Sequence, residues 1–165
     1  LSDSVGINQE HLDEVWEMAD SQQVQIRVAC QEDIPSVLGL LRHLWPDKAI
    51  NETALSNVLS RGMKSGDNVY LCAENSDGMV GFCSMQLHDS LWQESLIAYV
   101  ETLIVAGKSR GQGIGTRMLD EVIEMARLRE CRKIELDSAF HRESAHDFYE
   151  SHGFQKRAFV FSKDL

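Results

Sequence analysis

Apolar and polar residues alternate along this chain with two different periods. Val24, Ile26, Val28 and Cys30 alternate with polar neighbours and read as a first, half-buried strand from Val24 to Cys30. The period then lengthens. Ile34, Val37, Leu38, Leu41, Leu44 and Trp45 form one stripe of a helix, with Asp33 as its cap, Pro35 in its first turn and Pro46 as its stop. A second helix is expected from about Glu52 to Lys64, with Leu55, Val58 and Leu59 inward. Strands are expected at Asn68 to Glu74 and Met79 to His88, joined through the hairpin signal Asn75-Ser76-Asp77-Gly78. Asp89 to Glu94 reads as a loop. Leu96 to Val105 is then almost continuously apolar with one charge, Glu101, which suits a central strand buried on both faces. Ile114, Met118, Val122 and Ala126 recur every four residues beside Leu119 and Ile123. Arg117, Asp120, Glu121, Glu124 and Arg127 take the other side of that helix. A short strand at Lys133 to Asp137, a helix at Glu143 to Ser151 closed by Gly153, and a final strand at Phe154 to Phe161 complete the chain. The order β-α-α-β-β-β-α-β-α-β predicts an α/β (α+β) fold. Its sheet is mixed and mostly antiparallel, with a parallel pair where a helix links two strands, and helices flank it.

Between the apolar strand and the four-residue-period helix lies Gly107-Lys108-Ser109-Arg110-Gly111-Gln112-Gly113-Ile114-Gly115. The first turn of a helix carries unpaired N–H groups and the positive end of the peptide dipoles. Glycines allow close approach and positive φ, so the stretch reads as a phosphate cradle, with Lys108, Arg110 and Arg117 adding positive charge. It is neither a P-loop nor a GxGxxG dinucleotide fingerprint. A tight strand–helix turn without a ligand is the alternative.

Composition narrows the setting. A chain of 165 residues with 43% hydrophobic content suits one globular domain, residues 24–165, preceded by an extension over residues 1–23. That extension holds six acidic residues and no Lys or Arg, with Leu12, Val15, Trp16 and Ala19 at helical spacing. It reads equally as a short packing helix or as a dispensable tail. A net charge of −10 argues against nucleic acid; it would favour encounter with a cationic substrate, or simply marks a soluble acidic protein, the more ordinary reading. Cys30, Cys72, Cys83 and Cys131 are widely spaced without a CxxC or Cys/His cluster, so buried reduced thiols are expected and no metal site. No long apolar run and no secretory pattern is present, so a cytoplasmic protein without membrane contact is expected.

Arg110-Gly111-Gln112-Gly113-Ile114-Gly115 resembles the Q/R-x-x-G-x-G/A signature of the GNAT N-acetyltransferases, which bind acetyl-coenzyme A. Ala145-His146-Asp147-Phe148-Tyr149-Glu150-Ser151-His152-Gly153-Phe154 resembles the family's A-x-x-F-Y-x-x-x-G-F block. Both stand in the family's order and element context, over about residues 24–163. The resemblance implies the GNAT fold and acetyl-CoA as cosubstrate. Its pantetheine would run along the backbone of Leu103, Ile104 and Val105. Its pyrophosphate would lie on Arg110, Gly111, Gln112, Gly113, Ile114, Gly115 and Thr116.

Acetyl transfer to an amine needs a proton acceptor for the ammonium and a proton donor for the departing sulfur. Glu101 is the candidate base, or else an ion-paired or edge carboxylate. Some family members carry the base two residues earlier, where this chain has Tyr99. Tyr149 is the candidate acid, or else an aromatic anchor beside Phe148 and Phe154. The family often has Asn where Arg142 stands, so Arg142 is a candidate phosphate contact or a surface cation. Asp137, at the end of its strand, is a candidate amine ligand or a turn residue. His88, His141 and His146 read as surface or loop residues. Leu44-Trp45-Pro46, Glu101, Asp137 and the closing Gly153-Phe154 to Lys163 are similar to the aminoglycoside 6′-N-acetyltransferase branch, which makes Trp45 a candidate substrate contact. The expected reaction is direct acetyl transfer to a small cationic amine such as an amino sugar, aminoglycoside or polyamine. A homodimer is compatible with this reading. The alternatives are a protein or peptide N-acetyltransferase and a non-catalytic acetyl-CoA sensor module.

Overall fold

The computed structural model describes residues 23–165, so the acidic extension falls, up to residue 22, outside it. Five strands run β1 (Gln25–Val28), β2 (Asn68–Asn75), β3 (Gly78–Ser90), β4 (Ser95–Val105) and β5 (Lys133–Leu136). They lie side by side in chain order. The first three pairings are antiparallel, and β4–β5 is parallel because helix α3 (Ile114–Leu128) carries the chain across between them.

Each face of the sheet has its own core. On one face α3 buries Ile114, Met118, Leu119 and Val122 against Leu71, Cys83, Met85 and Val100. On the other, helix α1 (Ile34–Leu44) packs Val37, Leu38 and Leu41 against Tyr70, Phe82 and Ile104. Helix α2 (Glu52–Gly62) closes that side through Leu59. A sheet covered on both faces explains why β2 through β4 read as nearly unbroken apolar runs. The last helix, α4 (Glu143–Ser151), lies on the α3 side, where Phe148 and Tyr149 join the first core.

Gly62 is a point where that packing is fixed. A Cβ there would come within 2.7 Å of Tyr70 Cζ and 2.8 Å of Cε2. Alanine normally stabilises a helix over glycine by about 1 kcal/mol. Here we expect the opposite sign, because overpacking a core costs about 1–3 kcal/mol. Denaturant unfolding of Gly62→Ala checks this: the midpoint should fall, and an unchanged or raised midpoint would show that Tyr70 yields freely.

Three expectations are corrected. Asp33 stands at the start of α1 but makes no side-chain cap bond to it. Its carboxylate accepts from the Cys30 N–H at 2.7 Å and from both terminal nitrogens of Arg27 at 2.7 and 2.8 Å. Arg27 also grips Glu74, fastening β1 to β2, and its guanidinium holds the Asp33 carboxyl well below the usual carboxylate range. The cysteines are not uniformly buried: Cys72 and Cys83 are, whereas Cys30 is exposed. The final strand does not form. Among the described residues Phe154–Phe161 has no ladder partner, and Phe159, Val160 and Phe161 are exposed. Lys156 pairs with Glu150, Arg157 with Glu135, and the rings of Phe140 and Phe159 meet at 6.1 Å. Side-chain contacts therefore tether the segment where main-chain bonds were expected.

Candidate active site

The site is built on an irregularity in β4. Met85 of β3 faces Val100 and Ser84 faces Thr102, so Glu101 is an extra residue, a β-bulge. The cores record the slip. Ala98 and Val100 belong to the α3 side; past the bulge, Leu103 and Val105 pack there while Ile104 belongs to the α1 side. Strict alternation would have put Ile104 with Val100. The bulge presents the Glu101 carboxylate to solvent between the buried neighbours Val100 and Thr102.

On its other edge β4 pairs with β5 only from Ile97 to Val100. Beyond that rung β5 ends, and among the described residues no strand borders Glu101–Val105 on this side. Backbone groups along that stretch form an edge without a strand partner there, a place where an extended molecule can complete the sheet. Arg110 Nε closes the far end by donating to the Val105 carbonyl at 3.0 Å.

The glycine loop stands at that end. After a short turn at Gly107–Ser109 the chain passes through Gly111 (φ 75°) and Gly113 (φ 76°) into α3. A Cβ at either glycine would meet nothing within 4 Å, so the requirement is the left-handed backbone and not space. The N-cap residue Gly113 supplies no side-chain cap, so among the described residues the first N–H groups of α3 are available to an anion. At Gly115 a Cβ would lie 3.7 Å from both Val105 and Phe148, so the loop nestles between β4 and α4. Gln112 and Lys108 are exposed, and Thr116 is half-buried. These features fit a diphosphate-bearing ligand. Arg117 does not take part as expected. Its Nη2 donates to the Val24 carbonyl at 2.9 Å, and it lines a cavity of about 1310 Å³ between α3 and β1 together with Asp120, Glu121 and Glu124.

The remaining candidates gather around the opening. Tyr149 is half-buried between the rings of Phe148 (5.3 Å) and Phe154 (5.8 Å). Burial pushes its phenol up; the charge of Asp137 acts in the same direction and that of Arg142 against it. Among the described residues its hydroxyl has no hydrogen-bond partner, so it is free to donate to a ligand. Asp137 follows β5 and accepts a hydrogen bond from the Tyr99 hydroxyl. Arg142 Nη2 donates to the Leu44 carbonyl at 3.0 Å, joining the loop before α4 to the end of α1. Trp45, next to Leu44, is half-buried, with Lys48 Nζ 5.0 Å from its ring centroid. His146 is occupied by the Ala139 carbonyl. Sequence reasoning missed the Tyr99–Asp137 bond. The only signal was that Tyr99, within its strand, and Asp137, at the end of its own, fall on strands expected to be parallel neighbours.

A sequence profile of the Acetyltransferase (GNAT) family matches residues 35–154. The chain belongs to this family. It is a GNAT-family N-acetyltransferase, and the family uses acetyl-CoA as cosubstrate. It is similar to a glucosamine 6-phosphate N-acetyltransferase of Trypanosoma brucei brucei, with 26% identity over 90% of this chain and 100% of the relative. It is also similar to an aminoalkylphosphonate N-acetyltransferase of Salmonella typhimurium, with 28% identity over 86% and 91%. Among solved structures, the aminoglycoside 6′-N-acetyltransferase of Acinetobacter baumannii superposes with a TM-score of 0.73 over 87% of this chain and 99% of the other; at 19% identity that likeness is one of fold. Among the described residues no helix is long and apolar enough to cross a membrane, and no group of three or more His, Cys, Asp or Glu is placed to hold a metal ion.

Proposed function

We propose that this GNAT acetyltransferase moves the acetyl group of acetyl-CoA directly to the primary amine of a small cationic molecule, such as an amino sugar, an aminoglycoside or a polyamine. One observation carries the reading. The unpaired edge of β4 along Glu101–Val105 leads to the helix N-terminus at Gly113 at one end and begins beside two carboxylates, Glu101 and Asp137, at the other. Among the described residues no cation stands within ion-pair distance of either carboxylate. An anionic coenzyme tail and a cationic acceptor would thus meet head to head.

When bound, acetyl-CoA supplies an activated acetyl thioester. Gly111–Thr116 and Arg110 hold its phosphates, and the backbone of Leu103–Val105 aligns the acyl end. Glu101 takes the ammonium proton, so that the neutral amine attacks. Asp137 holds the acceptor. Tyr149, kept protonated by burial through neutral pH, donates to the departing sulfur. A cysteine relay is disfavoured, because burial pushes the Cys72 and Cys83 thiols up to about 12. We expect Tyr149→Phe to lower kcat by about 10²-fold with acetyl-CoA affinity kept. Stopped-flow release of coenzyme A checks this, and an unchanged kcat would remove Tyr149 from the chemistry.

Both curated relatives are named for amines that carry a phosphate or phosphonate. The test is therefore coenzyme A release across glucosamine, glucosamine 6-phosphate, aminoethylphosphonate, kanamycin, spermidine and short peptides. Turnover on small amines but not on peptides supports the proposal. Turnover confined to peptides would replace it with a protein acetyltransferase, and acetyl-CoA binding without turnover would leave a sensor.

A further inference from the structure

Three carboxylates stand within two positions of the rung where the β4–β5 pairing ends: Glu101, Glu135 and Asp137. Glu135 is already matched, by Lys133 at 3.3 Å and Arg157 at 3.4 Å. Asp137 is held differently. Tyr99 lies opposite Glu135 in the parallel register, one rung before the last pair, Val100 with Leu136. From there its hydroxyl reaches forward across that rung to Asp137. A lysine or arginine in this place would fix the carboxylate but cancel its charge. A phenol, ionising near pH 10 in its ordinary state, donates one hydrogen bond and leaves the negative charge intact. One carboxylate oxygen is thereby engaged and the other stays open.

We propose that Tyr99 is a positioning residue for the acceptor. It sets the orientation of Asp137 where the β4–β5 pairing ends, so that the open oxygen faces the incoming ammonium. The inference rests on the reading of Asp137 as the amine's ligand and assigns Tyr99 no part in proton transfer. Because Tyr99 acts through Asp137 alone, its hydroxyl matters for amine binding and not for coenzyme binding. Its removal has no further effect once Asp137 has lost its charge.

The experiment is a double-mutant cycle of Tyr99→Phe and Asp137→Asn in the full chain. It uses whichever of glucosamine 6-phosphate, kanamycin and spermidine has the highest kcat/KM. Tyr99→Phe keeps the ring and loses only the hydroxyl. A charge-assisted hydrogen bond at a partly exposed site predicts a rise in amine KM of about three- to tenfold. The KM for acetyl-CoA and the kcat should change by less than about twofold, as expected where binding alone is lost. In the Asp137→Asn background the same substitution should add less than about twofold. An unchanged amine KM in Tyr99→Phe, beside a raised one in Asp137→Asn, overturns the role of Tyr99 and leaves Asp137 standing. Full additivity of the two also overturns it. An unchanged amine KM in Asp137→Asn, or no turnover with any of the three amines, overturns the underlying reading and this inference with it.

Discussion

Replacing Glu101 with glutamine is expected to lower kcat by about 10²–10⁴-fold, the range that general-base catalysis contributes. The substitution preserves size and hydrogen-bonding capacity at the bulge while removing the ability to accept a proton. The acetyl-CoA KM should hold within about twofold, because the coenzyme's expected contacts lie further along β4 and on α3. Two features of the structure make the effect large. The bulge aims one carboxylate at the opening of the sheet, and among the described residues no cation pairs with it. Normal turnover by Glu101→Gln would mean that another group, or bulk water, takes the proton.

The second large effect is at Gly113. Its φ of 76° is left-handed, and it is the residue that admits the chain to α3. Gly113→Glu imposes a strain of about 1–2 kcal/mol, which a folded domain can tolerate. It also places a carboxylate beside the helix N-terminus where phosphate is expected to bind. We expect acetyl-CoA affinity to drop by more than about 10²-fold, corresponding to roughly 2.7 kcal/mol or more. Isothermal titration with acetyl-CoA reads the affinity, and circular dichroism should show the fold kept. Gly113→Ala separates the two causes, since it carries the strain without the charge and should lose far less. Retained binding in Gly113→Glu would take the glycine loop out of the account.

Much of this was legible in the chain, because local patterns report local structure. The four-residue spacing of Ile114, Met118, Val122 and Ala126 marks a helix packed on a sheet, and all four are buried as expected. The Asn75–Gly78 signal marks a hairpin, and β2 and β3 pair through it. What was not legible depends on residues far apart. The bulge at Glu101 is hidden because an apolar run buried on both faces has no phase to slip. Asp33 caps helices in general, but here Arg27 claims it from a neighbouring strand end. Arg117 sits one turn from the glycine loop in sequence and turns instead to Val24, 93 residues away. Phe154–Phe161 has the composition of a strand, yet a strand is a relation between two segments, and among the described residues no partner pairs with it. The Tyr99–Asp137 bond spans 38 residues and exists only once β4 and β5 lie parallel.

The central claim is that acetyl-CoA lies across the end of β4 and the start of α3, and hydrogen–deuterium exchange with and without coenzyme A tests it most directly. Protection should appear at the amides of Leu103–Val105 and Gly111–Thr116, with Arg117–Arg127 and Gln23–Ile26 unchanged. Protection confined to those last two segments, which line the cavity between α3 and β1, would contradict the account and move the coenzyme to the other side of the helix.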